Sequence, residues 1–393
     1  MDAGAKLPLS GIRVLDFGHI VAGPFCVRLL AELGADVVKV ETASRQGRTG
    51  ARRGGTRPNN TNGRTPHLWH INRNRRSIDL DLKTERGLAL ARRLAEVADV
   101  LVENFSSGVM DRLGLGYADL QKSNPRLVYA SMSAFGHSGP RSRWTGMNVT
   151  LQACSGLMLA TGAEGDPPIG ISNSWNDYVG GLHTAVAILG ALGRRTASGA
   201  GCHLDVSQFE CSVAMVGSLL LASAVTGAPP ERLGSRSRSA APQGCYRCAG
   251  DDQWCAISVQ SDEQWRAFLA VLGDEAAPLR ETRYATLAGR LEHHDAIDKT
   301  IEVWTGTHAP AEVEHRLRQH GVPAASMRRG NEFAETEEWQ KLLLPVEPSG
   351  MKVVGLPFAF RGSAPVEAIA APRLGANGSE VLRDWLKLDE DAA

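Results

Sequence analysis

The sequence predicts an α/β fold: a parallel sheet covered by helices, followed by a smaller α+β domain. Three observations carry this. Short apolar runs alternate with helically spaced segments over the first 133 residues, and strand–helix–strand alternation implies parallel pairing. A Pro-, Arg- and Ser-rich stretch at 228–243 (APPERLGSRSRSAAPQ) reads as a linker. Beyond it the composition changes to hairpin and helix patterns.

Ile12 to Phe17 is an apolar run and reads as a strand. Gly23-Pro24 then opens a helix through Leu33, because proline suits a first helical turn, and Gly34 closes it. Ala35 to Glu41 is a second strand, and Thr42 to Ser77 reads mainly as loop. Ser77 to Leu82 alternates like a strand. Thr84 to Ala98 has helical apolar spacing with Thr84 as its N-cap. Val100 to Glu103 and Leu127 to Ser133 read as strands, with a helical segment at Gly108 to Gly114. Asp177 to Arg195 reads as one helix, acidic in its first turn and basic in its last, as the helix dipole favours. Its small residues predict tight packing. Gly244 to Val259 resembles a hairpin with Ala249-Gly250-Asp251-Asp252 at the turn. Ser261 to Leu272, Ala288 to Trp304 and Pro310 to His320 read as helices. Three parts follow: 1–224 as the large domain, 225–325 as a small domain, and 326–393 returning to the large one. Ligands of such sheets bind at the carboxyl ends of the strands.

Composition narrows the function. The 43 Lys and Arg balance 43 Asp and Glu, which argues against a globally basic nucleic-acid binder. No apolar stretch is long enough for a bilayer span, and residues 1–10 lack the core of a signal peptide. With seven scattered cysteines, a reduced cytoplasmic location is expected, with no membrane association.

Local charge is more informative. From Thr42 to Ile78 there is no Asp or Glu, but arginines stand at 45, 48, 52, 53, 57, 64, 73, 75 and 76. Such a stretch suits a polyanionic small molecule, and reads equally as a solvated loop. Arg75 and Arg76 are binding candidates on charge alone. Asp177 reads either as an N-cap or as a nucleophile, because a helix N-terminus keeps a carboxylate ionised. The strand–turn–helix opening lacks a G-x-G-x-x-G fingerprint, and no G-x-S-x-G is present. Cys245, Cys248 and Cys255 fall on strand positions without a second pair at zinc spacing, so no metal site is expected.

Several segments together resemble the class III CoA-transferases, a family that includes formyl-CoA transferase and α-methylacyl-CoA racemase. They are LSGIRVLDFGHIVAGP with LGADVVKVE, NRNRRSIDLDLKTERG at 72–87, ADVLVENFSSGVMDRLGLGYADL at 98–120, NPRLVYASMSAFGHSGP at 124–140, QACSGLMLATG at 152–162, GAGCHLDVSQFE at 199–210 and LGANGSEVLRDWL at 374–386. The resemblance implies a Rossmann-like large domain, a small domain and an interlaced homodimer. It implies transfer of CoA from an acyl-CoA to a free carboxylic acid, with the CoA thioester as substrate and no permanently bound cofactor. Asp177 matches the nucleophilic aspartate. His19, Ile20, Val21 and Ala22 match a CoA-contacting turn. Leu80 and Lys83 match nucleotide-side contacts, Asn104 and Phe105 pantetheine or adenine contacts, and Arg112 a phosphate-binding arginine. One departure stands out: the family often carries Tyr-Asp or Tyr-Glu where this chain has Met147-Asn148. The racemase branch has His-Asp there, so a 2-methylacyl-CoA racemase would lack one proton carrier. Some relatives pair with a related, inactive subunit; the acid at 177 argues against that role.

Overall fold

Why the first sheet is parallel and buried follows from its strands. The computed structural model describes residues 6–42, 66–347, 350–362 and 366–388. Within them, β1 (Arg13–Asp16), α1 (Ala22–Glu32), β2 (Asp36–Glu41), α2 (Pro66–Ile71), β3 (Arg76–Asp79), α3 (Glu85–Glu96) and β4 (Val100–Glu103) follow in order. Then come α4 (Val109–Arg112), α5 (Tyr117–Ser123), β5 (Val128–Ser133), α6 (Asn148–Cys154), α7 (Leu157–Ala160), α8 (Trp175–Ser198), β6 (Cys202–Ser207), α9 (Gln208–Met215) and α10 (Gly217–Thr226). The six strands pair in the order β3-β2-β1-β4-β5-β6, every neighbour parallel. This is the doubly wound Rossmann-like order.

Alternation along each strand sends side chains to two covered faces. Val14, Val37, Val100, Val128 and Ala130 pack against Val27 and Leu30 of α1 and Ile188 and Leu192 of α8. Leu15, Val38, Leu101 and Tyr129 pack on the other face with Leu94 of α3. That second face is completed by Val381, Leu382 and Trp385 of the last helix, described below.

The helix ends follow their local chemistry. Thr84 accepts the Gly87 N–H at 3.1 Å as the N-cap of α3. Gly34 (φ 100°) ends α1 and Gly199 (φ 72°) ends α8, both in the left-handed region that glycine tolerates. Gly181 serves packing instead: a Cβ there would lie 2.8 Å from Phe25 Cδ1 and 2.9 Å from the Ala22 carbonyl oxygen. Its absence lets α8 lie against α1.

Residues 159–169 and 229–340 cluster as a second compact unit. The sequence reading placed its edges at 225 and 325. It holds β7 (Gln243–Arg247), β8 (Trp254–Ser258), α11 (Asp262–Leu272), α12 (Leu287–Glu292), α13 (His294–Thr305), α14 (Pro310–Gln319), β9 (Ala324–Ser326) and α15 (Gly330–Ala334). β7 and β8 form the expected hairpin and β9 adds antiparallel to it. The predicted helix 288–304 is two helices, broken at His293. Here Trp265, Phe268, Ile297, Ile301, Trp304 and Leu317 form a core of their own.

After α16 (Glu337–Leu342) the chain contributes β10 (Leu343–Glu347), β11 (Met351–Val354), β12 (Ala368–Ile369) and α17 (Gly378–Leu386). Residues 341–393 belong to the first unit. Arg76 pairs there with Asp384 at 2.9 Å, and Trp385 Nε1 donates to Asp36 at 2.7 Å. Among the described residues no single helix is long and apolar enough to cross a membrane.

Candidate active site

Two helix starts in the first unit carry the residues singled out in the sequence. The first lies between β1 and α1. Asp16, fully buried, accepts the Gly18 N–H at 2.6 Å and pairs with Arg75 at 2.7 Å and Lys39 at 3.3 Å. Lys39 also donates to the Gly18 carbonyl at 2.5 Å. Asn104 then grips His19 from both sides: its Oδ1 accepts the His19 N–H at 2.6 Å and its Nδ2 donates to the His19 carbonyl at 2.9 Å. Phe105 stands edge-on to the His19 ring at 4.6 Å. Ile20 follows at φ 60°, with its side chain 52% exposed. A β-branched residue in that region is strained, and such strain gathers at ligand sites. Val21 and Ala22 are buried beneath it. The structure therefore brings His19, Ile20, Asn104 and Phe105 together at the carboxyl ends of β1 and β4.

Other sequence candidates are placed differently. Leu80 is buried in the core and its N–H bonds the Glu41 carbonyl, so its side chain is not presented to a ligand. Lys83 and Arg112 are exposed. Arg75, expected on charge alone to meet a polyanion, is turned inward. Besides Asp16 it donates to the carbonyls of Pro24 and Ile71, both at 2.8 Å. Arg76 is likewise occupied, pairing with Asp36, Glu380 and Asp384. Arg73 is buried against Glu32 and His70. Arg73 and Arg75 are internal fasteners, because each faces a buried acid and carbonyls that would otherwise lack partners, whereas Arg76 clasps half-exposed acids. Arginines 45, 48, 52, 53, 57 and 64 lie outside the described residues.

The second helix start carries Asp177. It is the third residue of α8, not its cap; Ser174 holds the cap position. Asn173 and Ser174 lie at φ 62° and 57°, which sharpens the turn into the helix. The Asp177 N–H donates to the Ser174 carbonyl at 2.9 Å. Burial pushes the Asp177 carboxyl up to about 6, opposed by its own backbone N–H. The helix N-terminus was expected to hold it ionised; desolvation outweighs that effect here. Most of it is still ionised at pH 7. Among the described residues no cation pairs with it, whereas Asp16, Asp36 and Asp99 are all ion-paired. Its neighbour Tyr178 meets Phe25 of α1 edge-on at 4.6 Å.

An amide lattice surrounds this start, and the sequence reading missed it. Asn148, at the beginning of α6, accepts the Asn176 N–H and a Gln152 Nε2–H, each at 3.0 Å. Gln152 is fully buried and holds the Ile171 backbone at both its N–H and its carbonyl, each at 2.7 Å. Asn176, also fully buried, donates from Nδ2 to Ser212 of α9. The Asn-Ser-Trp-Asn run before Asp177 was the one visible signal.

Two concavities are lined by other residues: one of about 670 Å³ around Cys245, Ser258 and Arg318, and one of about 380 Å³ around Leu344, Leu356 and Phe358. Neither borders Asp177. Chemistry, not volume, marks the site.

Comparisons with known proteins place the chain in a family. The family model described as CoA-transferase family III matches residues 9–378. The chain is 31% identical to an acetyl-CoA:oxalate CoA-transferase of Acetobacter aceti over 387 residues, covering 98% of this chain and 97% of that one. It is 31% identical to a succinyl-CoA–D-citramalate CoA-transferase of Chloroflexus aurantiacus, covering 98% and 95%. A CAIB/BAIF family protein from Brucella suis has a crystal structure with a TM-score of 0.86 at 28% identity, covering 97% of this chain and all of that one.

Proposed function

The chain belongs to CoA-transferase family III, and from that premise we propose that it passes coenzyme A from donor to acceptor through a covalent thioester on Asp177. The enzyme is an acyl-CoA:carboxylate CoA-transferase. What supports Asp177 as the attacking group is its state: a largely buried carboxylate with no cation paired to it among the described residues, on a rigid helix start. Buried Asp16, by contrast, is held between the cations of Arg75 and Lys39.

The steps balance without metal or nucleotide. The Asp177 carboxylate attacks the thioester carbonyl, forming a mixed anhydride and releasing CoA thiolate. The thiolate attacks the Asp177 carbonyl, giving the aspartyl-CoA thioester and freeing the donor acid. The acceptor carboxylate then attacks that thioester, again releasing thiolate and forming a second mixed anhydride. The thiolate takes the acceptor acyl group, and Asp177 is restored. We assign CoA binding to the His19–Ala22 turn with Asn104 and Phe105, and nucleotide-side contacts to exposed Lys83 and Arg112 and the backbone of Leu80. The acceptor is proposed to be a small dicarboxylic acid, by analogy with the oxalate and citramalate in the relatives' names.

A homodimer is part of this reading. α10 (GSLLLASAVT) has no charged residue and no buried one, and Leu221 and Val225 are 66% and 78% exposed. Val186 of α8 is 67% exposed. Apolar surface of that kind is what a second copy would cover.

Intact-mass measurement after mixing with a panel of acyl-CoA donors tests the proposal. A CoA adduct discharged by hydroxylamine and absent from Asp177→Ala is expected, with turnover in that variant lower by roughly 10³-fold or more. Because the attacking form is ionised, kcat/KM is expected to fall as pH drops through about 6. No adduct, but α-proton exchange in deuterated water, would replace transfer by racemisation.

A further inference from the structure

We propose that Asn148 is the positioning residue for Asp177: from α6 it caps the helix that carries the nucleophile, and it does so without charge. This rests on the reading of Asp177 given above.

An α-helix begins with N–H groups that have no partner inside the helix. Normally the N-cap side chain accepts one from the second or third helical residue. Ser174 occupies that position but, at φ 57° and ψ 36°, makes no such bond. The second residue, Asn176, gives its N–H to Asn148 Oδ1 at 3.0 Å instead. A side chain 28 positions earlier thus does the work of the missing cap. Asn148 is itself held in register. Its Oδ1 takes the Gln152 bond and its Nδ2 donates to the Ile171 carbonyl at 3.3 Å. Asn176 is pinned from the opposite side by Ser212, whose Oγ donates to Gln208 at 3.0 Å. The residue before Asp177 is therefore clamped from α6 and α9 together.

The amide matters as much as the geometry. A carboxylate at 148 could accept the same two bonds, from the Asn176 N–H and from Gln152. It would lose the donation to Ile171 and add a negative charge one residue from the nucleophile. Charged or titratable groups on the elements packed against α8 are Cys26, Arg28 and Glu32 on α1, Cys154 on α6, Glu210 and Cys211 on α9, Tyr129 on β5, and Cys202, His203 and Asp205 on β6. His67 of α2 and Tyr178 lie beside the same turn. What raises the Asp177 carboxyl is burial rather than any of these groups. A neutral residue at 148 keeps it so, and leaves the nucleophile ionised at neutral pH.

The test compares Asn148→Ala, Asn148→Asp and Asp177→Ala in the full-length enzyme. It reads the single-turnover rate of adduct formation from acyl-CoA, kcat and KM for the donor, and the pH profile from 5 to 8. Asn148→Ala is expected to lower kcat about 10²-fold with little change in donor KM, as for a misplaced reacting group. Asn148→Asp, which keeps both accepted bonds, is expected to move the acid limb of kcat/KM upward by about one pH unit. That readout does not depend on the alanine variant folding. An unchanged kcat in folded Asn148→Ala, or an unmoved limb in Asn148→Asp, overturns the positioning role. Full turnover by Asp177→Ala overturns the nucleophile instead, so the two failures are separable.

Discussion

At the start of α1, Ile20 sits at φ 60°; at the start of α8, Asn173 and Ser174 sit at φ 62° and 57°. Both turns adopt a conformation that costs about 1–3 kcal/mol per residue and persists only where neighbours enforce it. The neighbours differ in kind. Around Ile20 the enforcing groups include ions: Asp16 between Lys39 and Arg75, with Asn104 closing on His19. Around Asp177 they are amides and a hydroxyl: Asn148, Gln152, Asn176 and Ser212. Ions hold a turn more strongly, but they also set the ionisation of whatever lies beside them. The chain uses ion pairs beneath the turn assigned to binding, and neutral groups beside the carboxylate assigned to chemistry.

The largest effect expected from breaking this contrast is on the charged side. Arg75→Ala leaves Asp16 short of one cation and strips two carbonyls of their donor. A loss of about 3–5 kcal/mol in urea unfolding is expected, as for other broken buried pairs. A loss below about 1 kcal/mol would mean that Lys39 suffices.

On the neutral side the expectation has the opposite sign. The folded-state value of Asp177, about 6, lies above the usual 3.8, so between those limits the folded chain binds more protons than the unfolded one. Stability from this group is present at low pH and is lost as pH rises through about 6. Asp177→Asn should therefore stabilise the fold at pH 8 by roughly 2–3 kcal/mol, with the gain vanishing below about pH 4. Thermal melts at the two pH values check this.

The smallest effect concerns the contact between the two helices. Gly181→Ala would drive a methyl group into Phe25 and the Ala22 carbonyl. A destabilisation of about 1–3 kcal/mol is expected. If the two turns are coupled through α1 and α8, donor KM rises as well; a change in stability alone would show them to be independent.

Much of the first sheet was legible because its strands are continuous apolar runs, as in Val37-Val38 and Val100-Leu101-Val102. β6 was not read as a strand, since Cys-His-Leu-Asp-Val-Ser alternates polar residues along a half-buried edge. The break at His293 left no trace, because both halves keep helical spacing. Asp177 was found, but its cap was not, for the partners are far apart in the chain. Asn148 and Asn176 are 28 residues apart and Gln152 and Ile171 are 19, with nothing periodic between them. Arg75 misled for a related reason: sequence gives the charge of a side chain but not which way it turns.

Arg76 reaches forward 304 and 308 residues to Glu380 and Asp384, and the Ser77 N–H donates to Asn377. During synthesis, then, one face of the sheet waits for α17 until some 300 residues after β3 have been made. Until α17 arrives, Val38, Leu101 and the α3 side chains on that face stay partly uncovered. Nascent chains of this enzyme should thus need chaperone cover on that face until α17 has been made.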